Sequence, residues 1–198
     1  MNTNDRTLQT YEENIQAYLD GTVSETTGEI RIWLDRAIAH VPKIAKILEI
    51  GSAFGRDADY IEAKGYRVER TDAVKGFVNL LEKLGKDAQL LNVITDEIST
   101  ETYDFILAMA VLLHMDPGET DHSLKNIAKG LKRGGIFAYC VKQGEGEEWS
   151  SHKMDAPRYF RYWSKEEAEH QMSTHGFEIM ELSTAHDDKW LMVTAKKV

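Results

Sequence analysis

The sequence predicts an α/β fold: a mostly parallel sheet with helices on both faces, preceded by N-terminal helices and closed by an antiparallel C-terminal hairpin. Three observations predict it. Between Ile44 and Val141, short apolar runs rich in β-branched residues alternate with stretches of helical periodicity, the pattern of parallel strands joined by crossover helices. Glycines mark the changes of period, at Gly51, Gly65 and Gly85, as expected where the chain turns. The last two apolar runs are joined only by Ser183 to Asp188, too short for the crossover that parallel neighbours require.

The elements follow in order. Tyr11, Ile15, Tyr18 and Leu19 recur at helical spacing and predict a helix from Tyr11 to Leu19. Thr26 and Glu29 have capping-box spacing ahead of a second helix, whose apolar stripe is Ile30, Trp33, Leu34, Ala37 and Ile38, with Pro42 beyond its end. Ile44 to Ile50 reads as a buried strand ending at Gly51. A helix through Ala58 and Ile61 leads to a second strand, Tyr66 to Thr71, ending at Asp72. Phe77, Leu80, Leu81 and Leu84 mark the next helix, Gln89 to Val93 a weak third strand, and Tyr103 to Leu112 a strong fourth. Asp116 and Pro117 supply the N-cap and first position of a helix with Leu124, Ile127, Ala128 and Leu131 on its buried face, ended by Gly134-Gly135. Ile136 to Val141 is a fifth strand. Ser164 and Glu167 form another capping box for a helix ending near His175-Gly176, and Phe177 to Leu182 and Lys189 to Thr194 are the hairpin strands.

Length and composition restrict the function. The 198 residues suit one domain, read as N-terminal helices over 1–42 and a sheet core over 43–198 with an insertion at 142–163. A net charge of −9 argues against a partner held through phosphates, and Lys129, Lys132 and Arg133 read as a solvated helix end. The single cysteine, Cys140, lies in an apolar stretch and reads as core filling in a reducing compartment. Met1 to Thr10 lacks a signal-peptide core, and the longest uncharged apolar run, Phe105 to Leu113, is too short to cross a bilayer. A cytoplasmic protein without membrane or nucleic-acid partner is expected. No H-x-x-x-H pair occurs among the seven histidines, so no metal site is expected.

On such a sheet, ligands bind beyond the carboxyl ends of the strands. The loop Glu49-Ile50-Gly51-Ser52-Ala53-Phe54-Gly55 lies there. A nicotinamide-binding turn needs Gly-x-Gly-x-x-Gly. Counting from Gly51, Ala53 and Arg56 occupy the second and third glycine positions, which disfavours a dinucleotide.

The segment ILEIGSAFGRDADYIEAKGYRVERTDA instead resembles the first two motifs of class I S-adenosylmethionine-dependent methyltransferases of the small-molecule type, with Glu49, Gly51 and Gly55 matching and Ala53 replacing the middle glycine. The resemblance implies a Rossmann-like methyltransferase sandwich with a seven-stranded sheet. It also implies S-adenosyl-L-methionine as cofactor, S-adenosyl-L-homocysteine as product, and Asp72 as acceptor for both ribose hydroxyls. It extends over Ser52, Arg56, Asp57 and Ala73 around these motifs. Ala108, Met109 and Ala110 correspond to the wall beside the methionine end, Leu113 to a neighbour of the adenine, and Asn92, with Val93, to the adenine-amino contact. Leu131-Lys132-Arg133-Gly134-Gly135 resembles the family's Leu-x-Pro-Gly-Gly turn. Tyr11 and Tyr18 resemble early tyrosines that close over the cofactor.

His114, after the fourth strand, is the candidate base, weighed against a pocket-lining role. Between Glu145 and Trp163 the chain mixes glycines, carboxylates, aromatics and arginines. Trp149, Arg158, Tyr159 and Trp163 are expected there to wall the pocket of a small-molecule acceptor, with Arg158 suited to an anionic one. A cofactor-binding regulatory or partner protein without turnover stays open as the alternative. The sequence does not fix the oligomeric state or the methylated atom.

Overall fold

The computed structural model describes residues 3–198, so of the segment Met1 to Thr10 its first two residues lie outside the described residues. The chain runs α1 (Thr3–Glu13), α2 (Ile15–Asp20), α3 (Gly28–Ile38), β1 (Ile47–Ile50), α4 (Arg56–Glu62), β2 (Val68–Asp72), α5 (Lys75–Lys83), β3 (Ala88–Leu90) and β4 (Tyr103–Met109). After a 3₁₀ turn at Leu112–His114 follow α6 (Pro117–Gly130), β5 (Leu131–Lys142), β6 (Glu147–Ser150), β7 (Arg158–Arg161), α7 (Lys165–Thr174), β8 (Phe177–Ala185) and β9 (Trp190–Lys197).

Seven strands form one sheet in the order β3-β2-β1-β4-β5-β9-β8. The first five are parallel, whereas β9 is antiparallel to both β5 and β8. Alternation along β4 sends Ile106 and Ala108 into one buried cluster with Leu124, Ile127 and Met172, and Phe105 and Leu107 into another with Trp33, Leu34 and Ile61. The central strand is therefore apolar on both faces, as a helix-covered parallel sheet requires. The capping box at α6 forms as read: the Asp116 side chain accepts from the Glu119 N–H while the Glu119 carboxylate accepts from the Asp116 N–H.

Several boundaries differ from the sequence expectation, each for a local reason. The Tyr11 to Leu19 helix is broken at Asn14, whose side-chain amide donates to the Thr10 carbonyl at 2.8 Å and whose backbone leaves helical geometry. Thr26 does not cap α3; its hydroxyl donates to Asp57 at 2.7 Å, while Glu29 accepts from the His186 N–H. The helix before β5 ends at Gly130, not at Gly134-Gly135, because strand pairing already begins at Leu131 opposite Tyr103. The insertion forms an antiparallel ribbon of β6 and β7, separate from the main sheet.

Candidate functional site

Strand order reverses between β1 and β4, the topological switch point where this architecture binds ligands. The carboxyl ends of these strands border a cavity of about 610 Å³. It is lined by Gly51, Ala53 and Asp72 after β1 and β2, by Met109, Ala110, Leu113 and His114 after β4, by Tyr11 and Tyr18 from the N-terminal helices, and by Lys142, Lys153 and Arg158 from the end of β5 and the segment that follows.

The loop after β1 is shaped for close approach. Gly51 has φ +74°, and a Cβ there would lie 2.5 Å from Val111 Cγ2, so only glycine fits. Ala53 is also left-handed, at φ 48°, a conformation that costs a non-glycine residue about 1–2 kcal/mol. Asp72 holds this shape: one carboxylate oxygen accepts from the Ala53 N–H and the other from the Val74 N–H, both at 2.8 Å. Each oxygen keeps further acceptor capacity, so the site can receive hydroxyl donors, as a ribose presents. The glycine cradle, the acceptor and the cavity together fit a nucleoside-type cofactor.

Behind this wall stand residues that support it without bordering the cavity. Glu49 is buried, with one oxygen lacking a partner; burial first, then the nearby Asp57, pushes its carboxyl up to about 8. Arg56 holds Asp57 through two hydrogen bonds, at 3.0 and 2.8 Å. Ser52, Gly55, Ala73, Val93 and Ala108 also sit behind the lining; Val74 reaches the cavity in place of Ala73. Asn92, expected to meet an adenine, stands outside the wall as well. Its side-chain oxygen accepts from the Ile94 N–H at 3.1 Å and its amide approaches Asn4 at 3.4 Å. Asn4, on α1, borders the cavity instead.

Tyr11 and Tyr18, on either side of the break at Asn14, both border the cavity. Their rings meet edge to face at 5.5 Å, and each also contacts Phe77. The Tyr11 hydroxyl lies 2.8 Å from His114 Nε2, while His114 Nδ1 lies 2.6 Å from the Tyr159 carbonyl. A carbonyl can only accept, so Nδ1 carries the proton and Nε2 accepts from Tyr11. Burial, and then the positive charges of Arg158, Lys142 and Lys153, lower His114 to about 3 despite the Tyr159 bond. His114 borders the cavity as a neutral acceptor held by these two bonds, the arrangement of the pocket-lining role weighed against that of a base.

The ribbon supplies the opposite wall differently from the sequence expectation. Arg158 borders the cavity and donates to the Tyr11 oxygen at 3.1 Å. Tyr159 points away: its hydroxyl bonds Glu147, and only its backbone reaches His114. Trp163 is fully buried against Tyr139. Trp149 lies 40% exposed, over Tyr159 and beneath the Arg6 guanidinium. None of these three rings lines the cavity; Phe160, Lys142 and Lys153 do. Alternation along β7 explains this, because Arg158 and Phe160 share a face that Tyr159 does not. Of the residues missed, Lys142 carried a signal, the carboxyl end of the fifth strand. Among the described residues no cluster of three or more His, Cys, Asp or Glu side chains could hold a metal, and no helix is long and apolar enough to cross a membrane.

Comparison with known proteins agrees with this fold. The family model described as tellurite resistance protein TehB matches residues 28–180. No curated protein matches. Among solved structures, the 1,6-didemethyltoxoflavin-N1-methyltransferase of Burkholderia thailandensis, with bound 1,6-didemethyltoxoflavin and S-adenosylhomocysteine, aligns with a TM-score of 0.77 at 20% identity, covering 100% of this chain and 92% of that one. The [4+2]-cyclase SpnF aligns at 0.75 with 15% identity, over 98% and 96% of the two chains. A S-adenosylmethionine-dependent methyltransferase of Methanosarcina mazei aligns at 0.71 with 16% identity, over 81% and 95%. The chain belongs to the TehB family and has the Rossmann-like fold of class I S-adenosylmethionine-dependent methyltransferases.

Proposed function

We propose that the protein transfers a methyl group from S-adenosylmethionine to a small-molecule acceptor. The observation that carries this reading is one cavity shared by two unlike walls, the Gly51–Asp72 cradle and the cationic wall around Arg158, beneath Tyr11 and Tyr18. Gly51, Ala53 and Asp72, with Met109, Ala110 and Leu113, would hold the cofactor. When bound, it supplies a methyl carbon already activated by its sulfonium.

The chain's task is then to position the acceptor and exclude water. Helices α1 and α2 serve the second purpose as a lid. Thr3 and the Asn4 N–H bond Glu119 at 3.0 and 3.3 Å, the Thr10 hydroxyl donates to the Pro157 carbonyl at 2.8 Å, and the Gly76 N–H donates to Glu12 at 2.9 Å. The lid is thus tied to both the cofactor side and the ribbon. His114 positions Tyr11: its Nε2 takes the phenolic proton in a hydrogen bond and Arg158 donates to the same oxygen, leaving Tyr11 an acceptor toward the cavity.

The test combines binding and turnover. S-adenosylmethionine and S-adenosylhomocysteine should raise the melting temperature by binding the native state, while NAD should not. Labelled methyl groups should move to an acceptor within a metabolite pool, with tellurite included because of the family's description. A shift with NAD alone would refute the reading. Cofactor binding without transfer to any acceptor would favour a regulatory or partner role, or other chemistry as in the cyclase neighbour.

A further inference from the structure

Arg158 is 5% exposed. Arginine at that depth is ordinarily paired, because a buried charge without a partner is costly. Arg70, buried to 6%, shows the ordinary case, with Asp59 at 2.9 Å and Glu62 at 2.6 Å. Arg158 differs. Among the described residues no carboxylate pairs with it; its one hydrogen bond goes to the Tyr11 hydroxyl, and its Nε, like that of Arg70, is buried with no partner. A guanidinium has five N–H donors in a fork suited to a carboxylate, so most of this capacity is unused.

A second cation stands beside it. Lys142 Nζ lies 4.1 Å from the centre of the Phe160 ring and Arg158 Cζ lies 4.9 Å from the same centre. Both residues and Phe160 border the cavity, and Lys142 has no ion pair within the described residues. Lys153 adds a third positive charge on the Tyr18 side, 4.2 Å from that ring. Three cations thus border one cavity of a chain whose net charge is −9. The surroundings are apolar: Leu113, Met115, Phe160 and Trp190 border the same space. A bare inorganic oxyanion would satisfy the cations but leave these side chains against water, whereas an organic acid satisfies both.

We propose that the methyl acceptor is a small organic acid, its carboxylate received by Arg158 and Lys142, which both pack on Phe160, and its apolar part laid against Met115 and Trp190. This inference rests on the methyltransferase reading, and its test keeps the two apart. Protein saturated with S-adenosylhomocysteine is titrated calorimetrically with acid and amide pairs of equal shape: benzoate and benzamide, phenylacetate and phenylacetamide, hexanoate and hexanamide. Sodium tellurite is titrated alongside.

Each acid should bind about tenfold or more tightly than its amide, as expected for a charge-assisted contact. Arg158→Gln should remove that preference, Arg158→Lys should keep part of it, and Lys142→Gln should reduce it, with S-adenosylhomocysteine affinity unchanged in Lys142→Gln and weakened well under tenfold in the two Arg158 variants, which alter the bond to Tyr11. Equal binding of acids and amides, or binding of neither, would overturn the proposal. So would tellurite outcompeting every acid, or a tenfold loss of S-adenosylhomocysteine affinity in Arg158→Gln, which would assign the guanidinium to the cofactor. If Arg158→Gln fails to fold, the wild-type acid and amide preference and Lys142→Gln decide. Failure of the wild type to bind S-adenosylhomocysteine would instead refute the methyltransferase reading.

Discussion

Cofactor binding is expected to remove a proton from Asp72. Burial pushes this carboxyl up to about 6, against the backbone N–H groups of Val74, Ala53 and Ala73, which draw it down; the charge of Glu12 adds a little upward. The shift from 3.8 to about 6 favours the protonated form of the free protein by about 3 kcal/mol. Because the folded value is raised, this stabilisation is fully present below about pH 4 and is lost as pH rises through about 6. Ribose hydroxyls donating to Asp72 reverse the preference, since they bind the carboxylate. Affinity for S-adenosylhomocysteine should therefore fall about tenfold per pH unit below about 6 and level off near 7. Neither Glu49, held near 8, nor His114, held near 3, changes charge between about pH 5 and 7 in the free protein. Calorimetry in two buffers of different ionisation enthalpy should show about one proton released near pH 5. Asp72→Asn should bind at least about tenfold more weakly at neutral pH, with charge-assisted bonds of about 1.5–3 kcal/mol removed, and should lose the pH slope. A wild-type affinity flat from pH 5 to 7 would refute the assignment of Asp72.

Four further outcomes can be measured directly. Ala53→Gly relieves a left-handed alanine at a cost in unfolded-state entropy, so chemical denaturation should show a gain of about 0.5–1 kcal/mol; destabilisation would contradict the backbone geometry. His114→Gln should lower kcat/KM less than about tenfold, and the wild-type profile should show no histidine inflection between pH 5 and 8; a loss of a hundredfold or more together with such an inflection would restore His114 as a base. Lys153 is held near 8 by burial and by Arg158 and Arg56, so its charge is present below that pH and lost above it; binding of benzoate should weaken above pH 8, and Lys153→Met should abolish that limb. Deleting residues 1–21 should spare the melting transition but weaken S-adenosylhomocysteine binding about tenfold or more; equal affinity would show that α1 and α2 are not a lid.

Much of the fold was legible because it rests on period and punctuation. The doubled apolar face of β4, the Asp116-Pro117 start of α6 and the short link before β9 each leave a local trace in the sequence. Part of the cavity was legible for the same reason: Gly51, Ala53, Asp72, Met109, Ala110 and Leu113 follow strand ends and border it, whereas Ser52, Gly55, Ala73, Asn92, Val93 and Ala108 do not. The acceptor side was not. Trp149, Tyr159 and Trp163 have the right chemistry but the wrong faces, and only the pairing of β6 with β7 fixes which side of the ribbon turns inward. The role of His114 was hidden likewise. Its tautomer depends on a carbonyl 45 residues away, and its low pKa first on burial by distant segments and then on Arg158, Lys142 and Lys153.

Some departures from local preference lie at the cavity, while five other left-handed non-glycine residues lie outside its lining. Ala53 and Ala110, both left-handed without being glycine, both border it, at the ends of β1 and β4. Asn14 breaks a helix that continuous periodicity would have carried on, between Tyr11 and Tyr18, which both border the cavity. Arg158 is buried without a carboxylate. Each of these costs stability, and each persists because the surrounding sheet and its two apolar clusters hold the backbone in place. Four independent local penalties around one cavity have a common physical origin if bound molecules relieve them. The cofactor then fills the cradle at Ala53 and Ala110, and an acidic acceptor neutralises Arg158. It follows that the two ligands together should stabilise the chain more than the sum of their separate effects, because α1 is tied to both walls. Additive shifts in melting temperature for S-adenosylhomocysteine and benzoate would show that the walls act independently.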